Sequence, residues 1–465
     1  MVKKSFFIFG FFILIVLVIA FLFFKLGGSK GFMGNVISDY FNSEKIDLKD
    51  YQCDDCNIVL IVVDALRADH LECYGYNRET SPNICELADE GILFENAISQ
   101  SAWTRPGVAS ILTGLYPKNH GAENRNNSLS EDKTLISEVL KEQGYNTFAF
   151  VTNGNIAESF GFNQGYTGFV YLKESSSEIQ IHKGSDILNS RLFDNLQDLS
   201  NSKNFVYIHY TDPHDPYTPN ENVFSSDEVE FYSSQDMNKL SRTIKNVSNQ
   251  DEILDNLINF YDDEIVFTDK NIGNLISWMK EKGIYNNTII IITSDHGEGF
   301  LEHGEIRHGN TLYDELIKIP LIVHIPQSNP KIVSQQVSQV DIFPSVLDLV
   351  GLSDIKDNLN IDGKSIFSGF QKYIFSELNL DNRRFASIRT DKEKLILDMK
   401  TNKFYDYNLA VDPLEQNNIY TKSKGSALEV PLMEHLNGGF ESKNENLPDL
   451  DAETLESLRA LGYLN

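Results

Sequence analysis

The segment Asn57-Ile-Val-Leu-Ile-Val-Val-Asp64, an unbroken and largely β-branched aliphatic run that stops at a carboxylate, most constrains what this chain can fold into. A strand with one wet face alternates apolar and polar residues. An unbroken run belongs to a strand buried on both faces, the environment of a parallel sheet. Thr147-Phe-Ala-Phe-Val-Thr152, Phe205-Val-Tyr-Ile-His209, Thr288-Ile-Ile-Ile-Ile-Thr293 and Pro320-Leu-Ile-Val-His324 repeat the pattern. Helical stretches at residues 134–143 and 256–282, closed by Gly144 and Gly283, lie between them. This alternation predicts an α/β fold, a mostly parallel sheet sandwiched by helices. From about residue 353 the texture changes to short segments at 372–377, 385–389 and 394–398 separated by polar turns. They predict a small antiparallel C-terminal α+β subdomain, with a closing helix over 452–461.

In open α/β sheets, ligands bind outside the carboxyl ends of the strands. Two apolar runs end in acids there: Asp64, and Asp295 followed at once by His296 in Ser-Asp-His-Gly-Glu. Either aspartate alone serves equally well as a helix cap. A carboxylate and an imidazole side by side, with Gly297 letting the backbone turn, suit a divalent metal. His303 and His308 follow in the same loop and strengthen the expectation of metal or oxyanion binding. The segment from Ser101 to Pro117 reads as a loop opening a helix, with Thr104 near the helix N-terminus, where an anion is favoured. Locally, the commoner role of such a threonine is a plain N-cap. Arg105 is either an anion clamp or a solvated surface residue. Arg67 and Asp69 are expected to hold the loop after the first strand, Trp103 and Phe300 to pack, and Asp341 and Asp362 to be structural.

Residues 6–24 form an apolar run of about nineteen residues, long enough to cross a bilayer as a helix. Lys3 and Lys4 precede it, and Asp39, Glu44, Asp47 and Asp50 follow. This asymmetry predicts a single-pass cell-membrane anchor, N-terminus inside and globular part extracytoplasmic. A cleaved signal peptide is the alternative. The expected organisation is a cytoplasmic tip and transmembrane anchor over 1–26, a tether over 27–55, a catalytic domain over 56–352 and a C-terminal subdomain over 353–465. Cys53, Cys56, Cys73 and Cys85 are read as disulfides or free thiols rather than a metal knuckle, because Cys73 and Cys85 stand too far apart. A net charge of -27 excludes nucleic acid as a partner, because phosphate binding needs clustered cations. Oligomeric state has no signature in the sequence.

A wider set of motifs carries a resemblance. Val-Val-Asp64-Ala-Leu-Arg-Ala-Asp69-His-Leu-Glu-Cys-Tyr-Gly is followed by Ala-Ser-Ile-Leu-Thr-Gly-Leu-Tyr-Pro117 and Asp212-Pro-His214-Asp-Pro-Tyr. Then come Tyr261-Asp-Asp-Glu-Ile, Thr293-Ser-Asp295-His296-Gly-Glu, and Phe404-Tyr-Asp-Tyr with Asp412-Pro-Leu-Glu-Gln-Asn417. In this order and spacing, from Asn57 nearly to the end, the chain resembles the sulfatase family of the alkaline-phosphatase superfamily. The resemblance implies an alkaline-phosphatase-like fold, with Asp64, Asp295 and His296 on a metal and the nucleophile at Thr104, itself a metal contact. It implies that His214 touches the transferred group, the leaving group or a second metal. The segment from Phe404 to Asn417 reads as a brace between subdomains.

Two departures shift the expected chemistry. Formylglycine sulfatases carry Cys-x-Pro-x-Arg, or Ser in place of Cys, at the nucleophile; this chain has Thr104-Arg-Pro106-Gly-Val108. No formylglycine is therefore expected. The lysine of those sulfatases in the loop after Asp295 aligns with His308. Both changes resemble the phosphoethanolamine and glycerophosphate transferases, which use zinc or manganese. Ala65 also replaces an acid often present as a further ligand in calcium-binding sulfatases. The expectation is a metal-dependent enzyme, with zinc or manganese favoured and calcium possible. It would cleave or transfer a phosphate or sulfate ester carried by a lipid, glycan or small molecule, through Thr104, His214 and His308. The alternatives are a sulfuric ester hydrolase acting without formylglycine, and a non-catalytic surface binding protein that keeps the fold.

Overall fold

The computed structural model describes residues 46–172, 184–196, 203–218, 221–226, 234–437 and 450–463. The apolar run 6–24 lies outside them. Among the described residues no helix is long and apolar enough to cross a membrane.

The main sheet is built from β1 (Asn57–Val63), β2 (Ile92–Ile98), β3 (Asn146–Val151), β4 (Gly168–Tyr171), β5 (Asn204–Tyr210), β6 (Thr288–Thr293), β7 (Lys318–His324), β8 (Lys331–Val333) and β9 (Val337–Ser338). Their order is β4-β3-β5-β1-β6-β7-β2-β8, with β9 beside β2. In β1, Ile58, Leu60 and Val62 enter one apolar cluster while Val59, Ile61 and Val63 enter another on the opposite face. Each such side chain contributes roughly 1.5–3 kcal/mol when fully buried, which is why the run carries no polar alternation.

The parallel expectation holds for β1 against β5 and β6, and for β3 against β4 and β5. It fails for β7, which runs antiparallel to both β6 and β2. Burial on both faces sets the apolar pattern, and that pattern is the same whichever way the strand runs. Strand β2 escaped the sequence reading because Glu95 and Asn96 interrupt it, where the register shifts at a bulge between Phe94 and Ala97.

The helix expected over 256–282 begins earlier and spans Gln250–Glu281, with Asp251 and Glu252 in its first turn, where the helix dipole favours acids. A second, antiparallel sheet follows, formed by β10 (Ile374–Leu380), β11 (Arg383–Arg389), β12 (Glu393–Asp398) and β13 (Lys403–Asn408). Strand β10 docks on the segment leading to Thr104: Glu377 N–H donates to Gln100 O at 2.8 Å, and Ser101 Oγ donates to Glu377 O at 2.8 Å. The closing helix is Ala452–Ala460.

The described part of the expected tether is not free of the domain. Ile46 and Tyr51 are buried in the larger apolar cluster, and Cys53 N–H donates to Leu349 O. Of the two readings left for the cysteines, the structure takes disulfides: Cys53 pairs with Cys56, and Cys73 with Cys85.

His120 lies fully buried between Ser110 Oγ and the Ala122 N–H, which donates to its Nδ1. Burial lowers its pKa from 6.5 to about 3. The unfolded chain therefore binds a proton below pH 6.5 that the folded chain refuses. Stability falls as pH drops from about 6.5 to about 3, by up to about 1.4 kcal/mol per pH unit for this residue. His120→Asn should flatten that part of the curve in urea titrations run from pH 7 to pH 4; an unchanged slope would locate the acid sensitivity elsewhere.

Candidate active site

Strands β1 and β6 are parallel neighbours with Val62 opposite Thr293, so their carboxyl ends bring Asp64 and Asp295 together. Asp295 Oδ1 accepts the N–H groups of His296 at 3.0 Å and Ala65 at 3.2 Å. Ala65 is held at φ 59°, a conformation that alanine rarely adopts, with its carbonyl bound to the Tyr261 hydroxyl at 2.7 Å. Asp64 Oδ2 accepts from Asn153 Nδ2 at 2.6 Å. His296 Nε2 stands 3.4 Å from Asp64 Oδ1 and 3.5 Å from Asp295 Oδ2. All three side chains are fully buried.

The helix Thr104–Thr113 approaches this cluster end-on. Gly107 permits it, because a Cβ there would lie 2.6 Å from Asp295 O. Gly297 is needed for the same reason, since its Cβ would meet Glu315 O at 2.1 Å. Thr104 is not an N-cap. Trp103 holds that position, and Thr104 Oγ1 faces His296 Nε2 at 3.3 Å and the Tyr463 hydroxyl at 3.0 Å.

His214 follows β5, and its Nδ1 donates to Asp215 O at 2.5 Å. Its Nε2 then faces Tyr463 Oη at 2.9 Å. His308 is arranged alike: Nδ1 lies 3.3 Å from buried Glu298, and Nε2 lies 3.1 Å from the same hydroxyl. The structure therefore brings Asp64, Thr104, His214, Asp295, His296 and His308 into one buried constellation.

His303 is excluded from it. It bonds Glu315 at 2.7 Å and the Glu415 carbonyl at 3.1 Å, and stacks on Tyr313. Sequence proximity in a loop did not place it at the site, because the loop turns between His303 and His308. Neither reading of Arg105 survives. It is fully buried, stacked over Phe160, and donates five hydrogen bonds to the carbonyls of Asn124, Arg125, Asn127 and Asn155 and to Asn155 Oδ1. Burial, reinforced by Arg125, lowers its pKa to about 9. Arg67 bridges Asp69, Glu302 and the Glu298 carbonyl, which ties the loop after β1 to the loop carrying His308. Asp341 and Asp362 accept backbone N–H groups away from the site. Glu415, within the expected brace, binds Lys394 and the Asp314 N–H.

Three participants escaped the sequence reading. Glu298 was visible in the Ser-Asp-His-Gly-Glu motif but drew no role. His209 ends fully buried with Nε2 3.9 Å from Asp295 Oδ2, yet appeared only as the end of an apolar run. Tyr463 has no local signal, lying just beyond the expected end of the closing helix.

A divalent cation fits Asp64, Asp295 and His296. Their ligand atoms lie within 4.8 Å of one another, and Asp295 Oδ2 has no hydrogen-bond partner among the described residues. Burial lowers the His296 pKa to about 4, so at neutral pH its imidazole is uncharged. Burial opposes charge on Asp295, but His296, His209 and the Ala65 N–H outweigh it and bring its carboxyl to about 2. Neighbouring buried carboxylates beside a neutral imidazole require a compensating positive charge. His296 Nδ1 donates to Gly297 O at 2.8 Å, which leaves Nε2 with the lone pair that a metal takes. His214, Asp215 and His308 form a second group of ligand atoms within 4.8 Å, although Asp215 is already paired with Arg307 at 2.9 Å.

Comparison with family models matches residues 56–352 to Sulfatase. The chain belongs to the sulfatase family. A second match, to the C-terminal region of N-sulphoglucosamine sulphohydrolase, covers residues 302–441. The chain is 24% identical to an N-acetylglucosamine-6-O-sulfatase of Bacteroides thetaiotaomicron, over 84% of this chain and 88% of the relative. It is also 24% identical to an arylsulfatase of Clostridium perfringens, over 87% of this chain and 99% of the relative. Among solved structures, the phosphonate monoester hydrolase of Agrobacterium radiobacter superposes with a TM-score of 0.68 at 19% identity, covering 82% of this chain and 95% of that one. A protein solved with its substrate D-glucosamine-2-N,6-O-disulfate gives 0.65 at 23% identity, covering 82% and 97%. The fold of this sulfatase-family hydrolase is thus the alkaline-phosphatase-like one, with its mostly parallel sheet and antiparallel C-terminal sheet.

Proposed function

We propose that this chain is a membrane-anchored, extracytoplasmic, metal-dependent enzyme that cleaves or transfers a phosphoric ester group through Thr104. The observation that carries the reading is the placement of Thr104 Oγ1. It is buried at the start of its helix, free of capping duty, and faces both His296 and the space between His214 and His308. The anchor rests on the apolar run 6–24 and its flanking charges.

Asp64, Asp295, His296 and Thr104 would hold the metal, and the carboxylate and imidazole donors favour zinc or manganese over calcium. When bound, the cation supplies positive charge that stabilises a threonine alkoxide and the oxygens of the transferred group. Attack forms the Thr104 Oγ1–phosphorus bond and breaks the bond from phosphorus to the ester oxygen, while the threonine proton passes to a neighbouring imidazole Nε2 and on to the departing alcohol. His214 and His308 deliver or hold the proton of the departing alcohol, since their Nδ1 atoms are fixed and their Nε2 atoms face the reaction space. Water or an acceptor alcohol then takes the group from Thr104.

A sulfate ester is the second reading, favoured by the family and by relatives named sulfatases of N-acetylglucosamine and of aryl esters. Those relatives support a glycan or aryl carrier for the ester. The threonine argues for phosphate, because a simple threonine sulfate cannot shed its group by elimination as an aldehyde hydrate does. The deciding experiment quenches turnover of bis(p-nitrophenyl) phosphate and of p-nitrophenyl sulfate and weighs the Thr104 peptide by mass spectrometry. A phosphoryl-type adduct on Thr104 is expected. Rapid sulfate release with Thr104 unmodified would overturn the nucleophile assignment.

A further inference from the structure

The whole constellation is shut away from solvent. Thr104, Asp64, Asp295, His296 and His214 expose no surface, and only 4% of the His308 side chain and 8% of Tyr463 are reached. An enzyme that acts on an ester from outside has to open. The part of the cover that touches the reactive atoms is Tyr463. Its hydroxyl lies 3.0 Å from Thr104 Oγ1, 2.9 Å from His214 Nε2 and 3.1 Å from His308 Nε2. A tetrahedral ester group attacked by Thr104 and contacted by both histidines needs that same space. Hydroxyl and substrate therefore exclude each other.

We propose that Tyr463 is the site's own occupant, a gate whose phenol holds the place of the transferred group until an anionic ester displaces it. Three features support this assignment. A cavity of about 600 Å³ is lined by Tyr463 and His308 but not by Thr104, and its cations Arg242, Arg307 and Arg383 outnumber its acids Glu305 and Asp381, which pair with Lys245 and Arg125. Tyr463 is thus the wall between a cation-lined entrance and the nucleophile. Such an entrance draws an anionic ester in a chain whose net charge is -27.

The gate also has a pivot. Leu458, Leu461 and Tyr463 all enter the main apolar cluster, and Gly462, at φ 75°, stands between the two leucines and the tyrosine. Rotation at Gly462 breaks the bond from Tyr463 N–H to Leu458 O, at 2.8 Å, and lifts the ring from the cluster while Leu458 and Leu461 stay packed. Finally, the ring is held by reversible contacts: Arg125 donates to the Tyr463 carbonyl and lies over the ring at 5.5 Å, while Trp103 flanks it at 6.3 Å.

The gate rests on the Thr104 pocket being the reaction site, and the test separates the two ideas. Inorganic phosphate is titrated calorimetrically into the full, metal-loaded chain and its variants. Removing a closed state raises apparent affinity by the reciprocal of the open fraction, so Tyr463→Ala should bind phosphate roughly tenfold tighter or more. Tyr463→Phe keeps the packing, loses the three hydrogen bonds and should fall between the two. Hydrogen exchange across residues 458–463 should rise when phosphate binds the wild type. Unchanged or weaker phosphate binding by both variants would overturn the gate and make Tyr463 a fixed part of the site. Asp295→Asn supplies the separate check. If it binds phosphate as the wild type does, the pocket itself is misassigned; if it loses phosphate while Tyr463→Ala gains nothing, only the gate fails.

Discussion

Replacing Thr104 with alanine should leave a folded, metal-binding protein whose kcat on its ester substrate has fallen by about 10⁴-fold or more, the scale on which removal of a covalent nucleophile is felt. The fold should survive because the hydroxyl makes no cap and carries no backbone hydrogen bond of its helix. Its contacts are His296 and the Tyr463 hydroxyl, both of which keep other partners. Thr104→Ser retains the hydroxyl and should restore much of the rate; Thr104→Val matches the threonine in shape and should restore none. The measurement is single-turnover kinetics on a phosphodiester and a sulfate ester, with circular dichroism and metal content as controls. A Thr104→Ala enzyme within tenfold of wild type on either substrate would remove Thr104 from the chemistry.

The second large effect concerns Asp295. Asp295→Asn should abolish stoichiometric metal binding, measured by mass spectrometry of the dialysed protein, and reduce turnover to background. The stability readout is the more diagnostic one. With His296 neutral, the metal-free wild type keeps the Asp64 and Asp295 carboxylates close together in a fully buried pocket. That repulsion is relieved in the variant, so metal-free Asp295→Asn should melt at or above metal-free wild type. Metal reverses the order. A ligand present at 1,000 times its Kd stabilises the folded state by about 4 kcal/mol, a gain open to the wild type and closed to the variant. Melting curves with and without EDTA should therefore cross over. A variant that still rises in Tm with zinc or manganese would show that Asp295 is not an essential ligand.

Most of the architecture was legible because burial writes itself into local pattern. Each unbroken apolar run became a strand buried on both faces, and the acids that end two of them became neighbours once those strands paired. The direction of β7 was not legible, because an apolar run carries no polarity. Nor was β2, whose bulge breaks the run with Glu95 and Asn96. Within the site, Asp64, Asp295 and His296 were readable as strand-end residues, and the order of motifs drew Thr104, His214 and His308 to them. His303 shows the limit of that approach. It shares a loop with His308, but side chains only a few residues apart can point to different partners, and its partners proved to be Glu315, Glu415 and Tyr313.

By itself, then, the sequence determined the unbroken buried strands, and the carboxylate pair with its histidine at their ends. Each depends on residue type and near-neighbour spacing. The tertiary structure alone decided that Arg105 is a buried brace, that Glu298 holds His308, and that Tyr463 closes the pocket. Tyr463 meets Thr104 across 359 positions of chain. A contact of that separation is set by how the closing helix packs against the domain, and no local periodicity encodes it.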